Sequence, residues 1–112
     1  MKKKRKRMKI ELLYFDGCPT YRLVQKWLEE LKSEEGWDFE LELVNVDSDE
    51  KAIGLKFTGS PTVLVNGREL FPPNSEAPYA RTCRMFFWNG RMHGAPPKEM
   101  LREAILELTE HS

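Results

Sequence analysis

The residues of this chain best suited to chemistry are two thiols, Cys18 and Cys83, 65 positions apart. Cys18 lies in Gly17-Cys18-Pro19-Thr20, where a strand-like run, Ile10 to Phe15, gives way to a helix-like one. The pattern puts Cys18 at the first turn of that helix and Pro19 at its first fully helical position. Proline suits the place because its fixed φ fits the helix and its missing N–H would go unpaired anyway. A thiol there faces free backbone N–H groups and the positive end of the helix dipole. Both favour the thiolate, the form that attacks disulfides and binds soft metals. Cys18 is therefore expected to be the more reactive thiol. The plainer alternative is a small residue buried in a turn. Asp16 opposes the thiolate if its charge is close, and Arg22, one turn in, supports it. Sequence leaves that balance open.

The elements that must position these thiols can be read from hydrophobic period. Lys9 to Phe15 carries Ile10, Leu12 and Tyr14 on one face, Leu13 and Phe15 on the other. Two apolar faces suit a central strand covered on both sides. From Pro19 to about Glu35, Leu23, Val24, Trp27, Leu28 and Leu31 form one broad helical stripe, and Gly36 is the expected cap. Phe39 to Val46 alternates against Glu40 and Glu42, a half-polar strand placed nearer the sheet edge. Asp47-Ser48-Asp49 offers helix caps for a short helix from Lys51 to Phe57, ended by Gly59.

Ser60 to Phe71 reads as a hairpin turning at Asn66-Gly67, the strongest short-range hairpin signal. Pro61 stands at its start, where a missing donor is tolerated. After the proline-rich stretch from Pro72 to Pro78, Cys83 to Trp88 is a further strand. It turns at Asn89-Gly90 and returns through Arg91, Met92 and His93. Met85-Phe86-Phe87-Trp88 has large apolar groups on both faces. A homodimer through this hairpin would cover the second face; alternatively the proline-rich loop or the last helix covers it. Pro97 to about Glu110 is the last helix. The order β-α-β-α-β-β, an added hairpin, then α implies a mixed sheet with helices on both faces.

Length, charge and composition narrow the class. With 112 residues the chain fits one domain with a core of its own. No apolar run approaches the ~20 residues that span a bilayer. Two cysteines make no disulfide framework, so a cytoplasmic rather than a secreted, stapled protein is expected. Residues 2–7 are all Lys or Arg; without them 12 basic residues face 18 acidic ones, about −6 for the body. The run is expected to be a disordered tail (residues 1–7) on a single domain spanning 8–112. Nucleic-acid binding is disfavoured because the body offers no matching basic face.

Taken together, Gly17-Cys18-Pro19 at a helix start, Val44-Asn45-Val46-Asp47 ending the second strand, and Gly59-Ser60-Pro61-Thr62 before a hairpin resemble the thioredoxin family. The resemblance covers residues 8 to about 71 and the last helix. It implies a thioredoxin-like fold, a mixed four-stranded sheet with helices on both faces plus the added hairpin. It also implies that Ser60-Pro61 is cis and packs beside the reactive cysteine. One departure is plain: thioredoxins carry a second cysteine where this chain has Tyr21. The whole chain is similar to little-characterised bacterial thioredoxin-like proteins, some labelled organomercurial-lyase-like. They share Gly-Cys-Pro, Gly-Ser-Pro-Thr, a Thr-Cys-Arg-like segment and Gly-x-Pro-Pro, here Gly94-Ala95-Pro96-Pro97.

With Pro61 beside Cys18 by resemblance, the hairpin returns the chain near that end of the sheet by Phe71. About ten residues then suffice to reach Cys83 at ~3.3 Å each, so the two thiols are expected to share one site. Three functions follow. In a redox protein Cys18 attacks, and Cys83 or external glutathione resolves the mixed disulfide. Pro61 belongs to that site, and Pro19, Thr20, Tyr21 and Ser60 would contact the substrate, a protein or small-molecule thiol or disulfide. No cofactor is needed. In a metal-handling protein two thiolates bind Hg(II), As(III) or Cu(I), with Asp16 as proton donor for carbon–mercury cleavage. A zinc site is not expected, because His93 and His111 lack ligand spacing. In a binding module both thiols are inert.

Overall fold

The computed structural model describes residues 8–73 and 77–110. The basic run, the middle of the proline-rich stretch and His111 lie outside the described residues. Strand β1 (Met8–Tyr14) is central, parallel to β2 (Phe39–Asn45) on one side and antiparallel to β3 (Thr62–Val65) on the other. Beyond β3 lies β4 (Arg68–Glu69), giving the order β2-β1-β3-β4. The two apolar faces of β1 earn it the middle place. Half-polar β2 takes an edge. Asn66 and Gly67 turn the β3–β4 hairpin with φ of 53° and 83°, the left-handed pair such two-residue turns require.

Each face of the sheet carries its own core. Met8, Ile10 and Leu12 pack with Val24, Leu28 and Leu31 of helix α1 (Tyr21–Glu35) and Leu101 and Ile105 of helix α3 (Lys98–Glu110). Leu13 points the other way, onto Val46, Ala52 and Phe57, where helix α2 (Asp49–Gly54) lies. Each fully buried aliphatic side chain contributes about 1.5–3 kcal/mol, so the larger cluster dominates stability. Lys98 reaches Glu30 at 2.9 Å and Glu34 at 2.7 Å, and Arg102 reaches Glu35 at 2.9 Å. These contacts set α3 along the second half of α1. Being partly exposed, they orient more than they stabilise.

Two stripes are narrower than periodicity suggests. Leu23 of α1 is exposed, because the helix buries positions 24, 28 and 31 and leaves its neighbour at the rim. Helix α2 starts earlier and ends sooner than expected. Ser48 is its cap, its hydroxyl accepting from the Lys51 N–H at 3.1 Å. Lys56 then takes φ 56°, which turns Phe57 into the core and leaves Ile53 and Leu55 exposed. Replacing the cap, Ser48→Ala, is expected to lower the unfolding free energy by about 1 kcal/mol in urea titration.

The second hairpin, β5 (Phe86–Trp88) with β6 (Arg91–His93), forms a separate two-stranded sheet. Phe86 is buried edge-on against Phe71, ring centroids 5.6 Å apart. Among the described residues nothing covers the other face: Phe87 is 65 % exposed, and its cross-strand partner Met92 is 57 % exposed. Among the described residues, no helix is long and apolar enough to cross a membrane.

Candidate thiol site

Cys18 occupies the turn between β1 and α1, its N–H donating to Phe15 O at 3.1 Å. The helix begins later than the sequence pattern suggests, at Tyr21, with Thr20 at the cap position. Pro19 and Thr20 carbonyls accept from the N–H groups of Arg22 and Leu23 at 3.1 and 3.0 Å, the i to i+3 bonds of a tighter turn. Cys18 thus precedes the helix and does not belong to its first turn. The Thr20 hydroxyl makes no cap bond and lies 3.6 Å from Cys18 Sγ. Tyr21 stacks on Tyr14 of β1 with ring centroids 3.9 Å apart. That stack ties the start of α1 to the end of β1. Asp16, Pro19 and Arg22 are exposed, Arg22 lying over the Tyr21 ring at 5.6 Å.

The second wall of the site is Gly59-Ser60-Pro61-Thr62. Ser60, Pro61 and Thr62 are buried, the Ser60–Pro61 peptide is cis, and the Thr62 hydroxyl donates to Gly59 O. Cys83 does not begin a strand, contrary to the pattern of residues 83–88. It forms a single parallel bridge with Ser60. The Ser60 N–H donates to Thr82 O at 2.7 Å, and the Arg84 N–H donates to Ser60 O at 2.9 Å. Those two bonds occupy the backbone on either side of Cys83 and hang it beside the same residue whose carbonyl lies 3.7 Å from Cys18 Sγ. The Cα atoms of Cys18 and Cys83 are 5.9 Å apart and the sulfurs are joined as a disulfide. Cys18 is only 3 % exposed, whereas Cys83 is an exposed residue.

What secures the Cys83 segment is a residue to which sequence reasoning assigned no role. Arg84 donates to Phe71 O at 2.8 Å, lies 4.8 Å over the Phe86 ring and faces Glu69 at 3.8 Å. Its side-chain stem fills the space where a β-carbon on Gly59 would go, and Gly59 itself has φ 149°, so glycine is required there twice over. Burial pushes the Glu69 carboxyl above its ordinary value, outweighing the opposite pull of Arg84. Burial likewise lowers Arg84, with Glu69 opposing. Glu69 Oε1 and Ser60 Oγ are buried without a hydrogen-bond partner among the described residues. The only local signal for Arg84 was its place next to a cysteine. Two of its partners, Glu69 of β4 and the carbonyl of Phe71, come from an earlier part of the chain.

The Gly94-Ala95-Pro96-Pro97 segment closes the third side. A β-carbon on Gly94 would stand 3.6 Å from the Thr20 methyl, and Ala95 and Pro96 are buried. An open groove of about 380 Å³ lies elsewhere, between β4 and α3, lined by Leu70, Pro72, Ala104 and Leu108 among others. Among the described residues, no three His, Cys, Asp or Glu side chains gather where they could hold a metal ion. No protein-family model matches the chain, and no curated protein matches it.

Proposed function

We propose that this chain is a thioredoxin-like thiol–disulfide redox protein in which Cys18 and Cys83 cycle between dithiol and disulfide. One observation carries the reading: two thiols 65 residues apart stand 5.9 Å apart at Cα, each held by a backbone contact to Ser60. That spacing lies inside the 4.4–6.8 Å range of disulfides. Accessibility supports exchange, since one of the two residues is exposed and a thiol in solution can approach it. The substrate is a protein or small-molecule thiol or disulfide. Pro19, Thr20 and Tyr21, exposed or half-buried after Cys18, would meet it, whereas Ser60 and Pro61 are buried and would hold the pair in place.

The test is equilibration of the purified protein in glutathione buffers of graded ratio, followed by acid quench, alkylation and mass spectrometry. The expected result is a reversible transition between a disulfide form and a dithiol form within the glutathione range. A pair that stays oxidised throughout, as structural disulfides below about −300 mV do, would mark a staple and sink the reading. So would a protein that never forms the disulfide. The same spectra test the soft-metal alternative, because an ion held by two thiolates adds its mass to the reduced form.

A further inference from the structure

The geometry points to Cys83, not Cys18, as the sulfur that an incoming thiolate attacks, with Cys18 as the buried leaving group. This inference rests on the redox reading and adds a division of labour to it. It runs against the expectation from sequence that Cys18 makes the external attack. A thiolate displaces a disulfide sulfur along the S–S axis, from the side opposite the leaving sulfur. Cys18 leaves little room for that approach: the residue is 3 % exposed, with Thr20 Oγ1 at 3.6 Å and Ser60 O at 3.7 Å from its sulfur. Cys83 is an exposed residue held by a single bridge, so a thiolate can reach it from solvent. Access therefore selects Cys83.

The leaving-group side agrees. A thiolate that departs more easily makes the exchange faster. The Thr20 hydroxyl, free of any capping bond, can donate to a Cys18 thiolate, and α1 begins three residues on. The neighbouring Arg84 guanidinium gives Cys83 no such help, because it is turned to Phe71 O, the Phe86 ring and Glu69. A thiolate RS⁻ bonds to Cys83 Sγ, the Cys18–Cys83 bond breaks, and its electron pair leaves on Cys18 Sγ. A second RS⁻ then attacks the RS sulfur, releasing RSSR and the Cys83 thiolate. Two thiols are oxidised, the protein disulfide is reduced, and the two thiolates take up protons from solvent according to pH.

The experiment mixes the oxidised full chain with glutathione for short times, quenches in acid, blocks free thiols with N-ethylmaleimide and maps the peptides. Glutathione on the Cys83 peptide with N-ethylmaleimide on the Cys18 peptide is expected, in about tenfold excess or more over the reverse isomer. The reverse isomer in excess, or the two in equal amounts, overturns the inference while leaving the redox reading intact. A second arm uses the single-thiol variants Cys18→Ala and Cys83→Ala with glutathione disulfide, each checked for native far-ultraviolet dichroism. Cys83 in the first variant should glutathionylate about tenfold faster than Cys18 in the second, because access outweighs the better-stabilised Cys18 thiolate, and the opposite ranking overturns the inference. Failure of the oxidised protein to react with glutathione at all counts against the redox reading instead, and the second arm still ranks the two sulfurs.

Discussion

Reducing the Cys18–Cys83 disulfide is expected to lower the free energy of unfolding by about 4 kcal/mol. The bond closes a loop of 65 residues, and a cross-link of that span removes much of the freedom of the unfolded chain. A domain of this size is stable by only about 5–15 kcal/mol, so the change is a large share of the total. The reduced protein should nevertheless stay folded. Neither cluster of buried residues includes Cys83, and both faces of the sheet keep their packing. Urea titrations with and without reductant measure the difference, and Cys83→Ser should match the reduced protein in both. A loss below about 1 kcal/mol would mean that the cross-link constrains little. In that case the Cys83 segment loosens in the reduced folded protein despite the Ser60 bridge and Arg84, or the reduced unfolded chain keeps structure that the cross-link would otherwise impose.

Arg84→Ala is expected to cost about 2–3 kcal/mol. Breaking a buried ion pair by removing one partner typically costs 3–5 kcal/mol. Here the pair is 3.8 Å apart and the Glu69 side chain is 27 % exposed, which lowers the figure. The Phe71 carbonyl also loses its donor, and the Phe86 ring loses its cation. Because Arg84 and Glu69 touch, the double variant Arg84→Ala, Glu69→Gln should cost less than the sum of the singles. A pH series adds an independent readout. The folded-state value of Glu69 is raised above 4.5, chiefly by burial. Its contribution is thus fully present below 4.5 and is lost as pH rises through the raised value. Glu69→Gln should therefore gain stability relative to the parent across that window. Arg84→Ala, which removes the one group pulling Glu69 down, should lose stability more steeply there. Parallel pH profiles for the parent and both variants would show that Glu69 does not titrate as its burial demands.

The disulfide and Arg84 matter for the same reason: each joins segments that local sequence leaves unrelated. What the sequence determined by itself was whatever local chemistry dictates. Asn66-Gly67 and Asn89-Gly90 turn their hairpins because all four residues take positive φ, which those residue types tolerate. The two apolar faces of β1 predict a central strand, and the alternation of β2 predicts an edge, because burial on one or both faces writes a period into the residues themselves. Gly36 caps α1 at φ 68° for the reason its type suggests.

The tertiary structure alone decided the site. That Cys83 bridges to Ser60 and does not extend β5 follows from hydrogen bonds across more than twenty residues of chain, which leave no periodic trace. The same holds for Arg84, a charged residue whose type argues for the surface until Phe71, Phe86 and Glu69 close around it. The proximity of the thiols was argued from topology, with room for the chain to reach. The burial that separates Cys18 from Cys83 was not, because accessibility belongs to the packed surface and a spacing of residue types does not contain it.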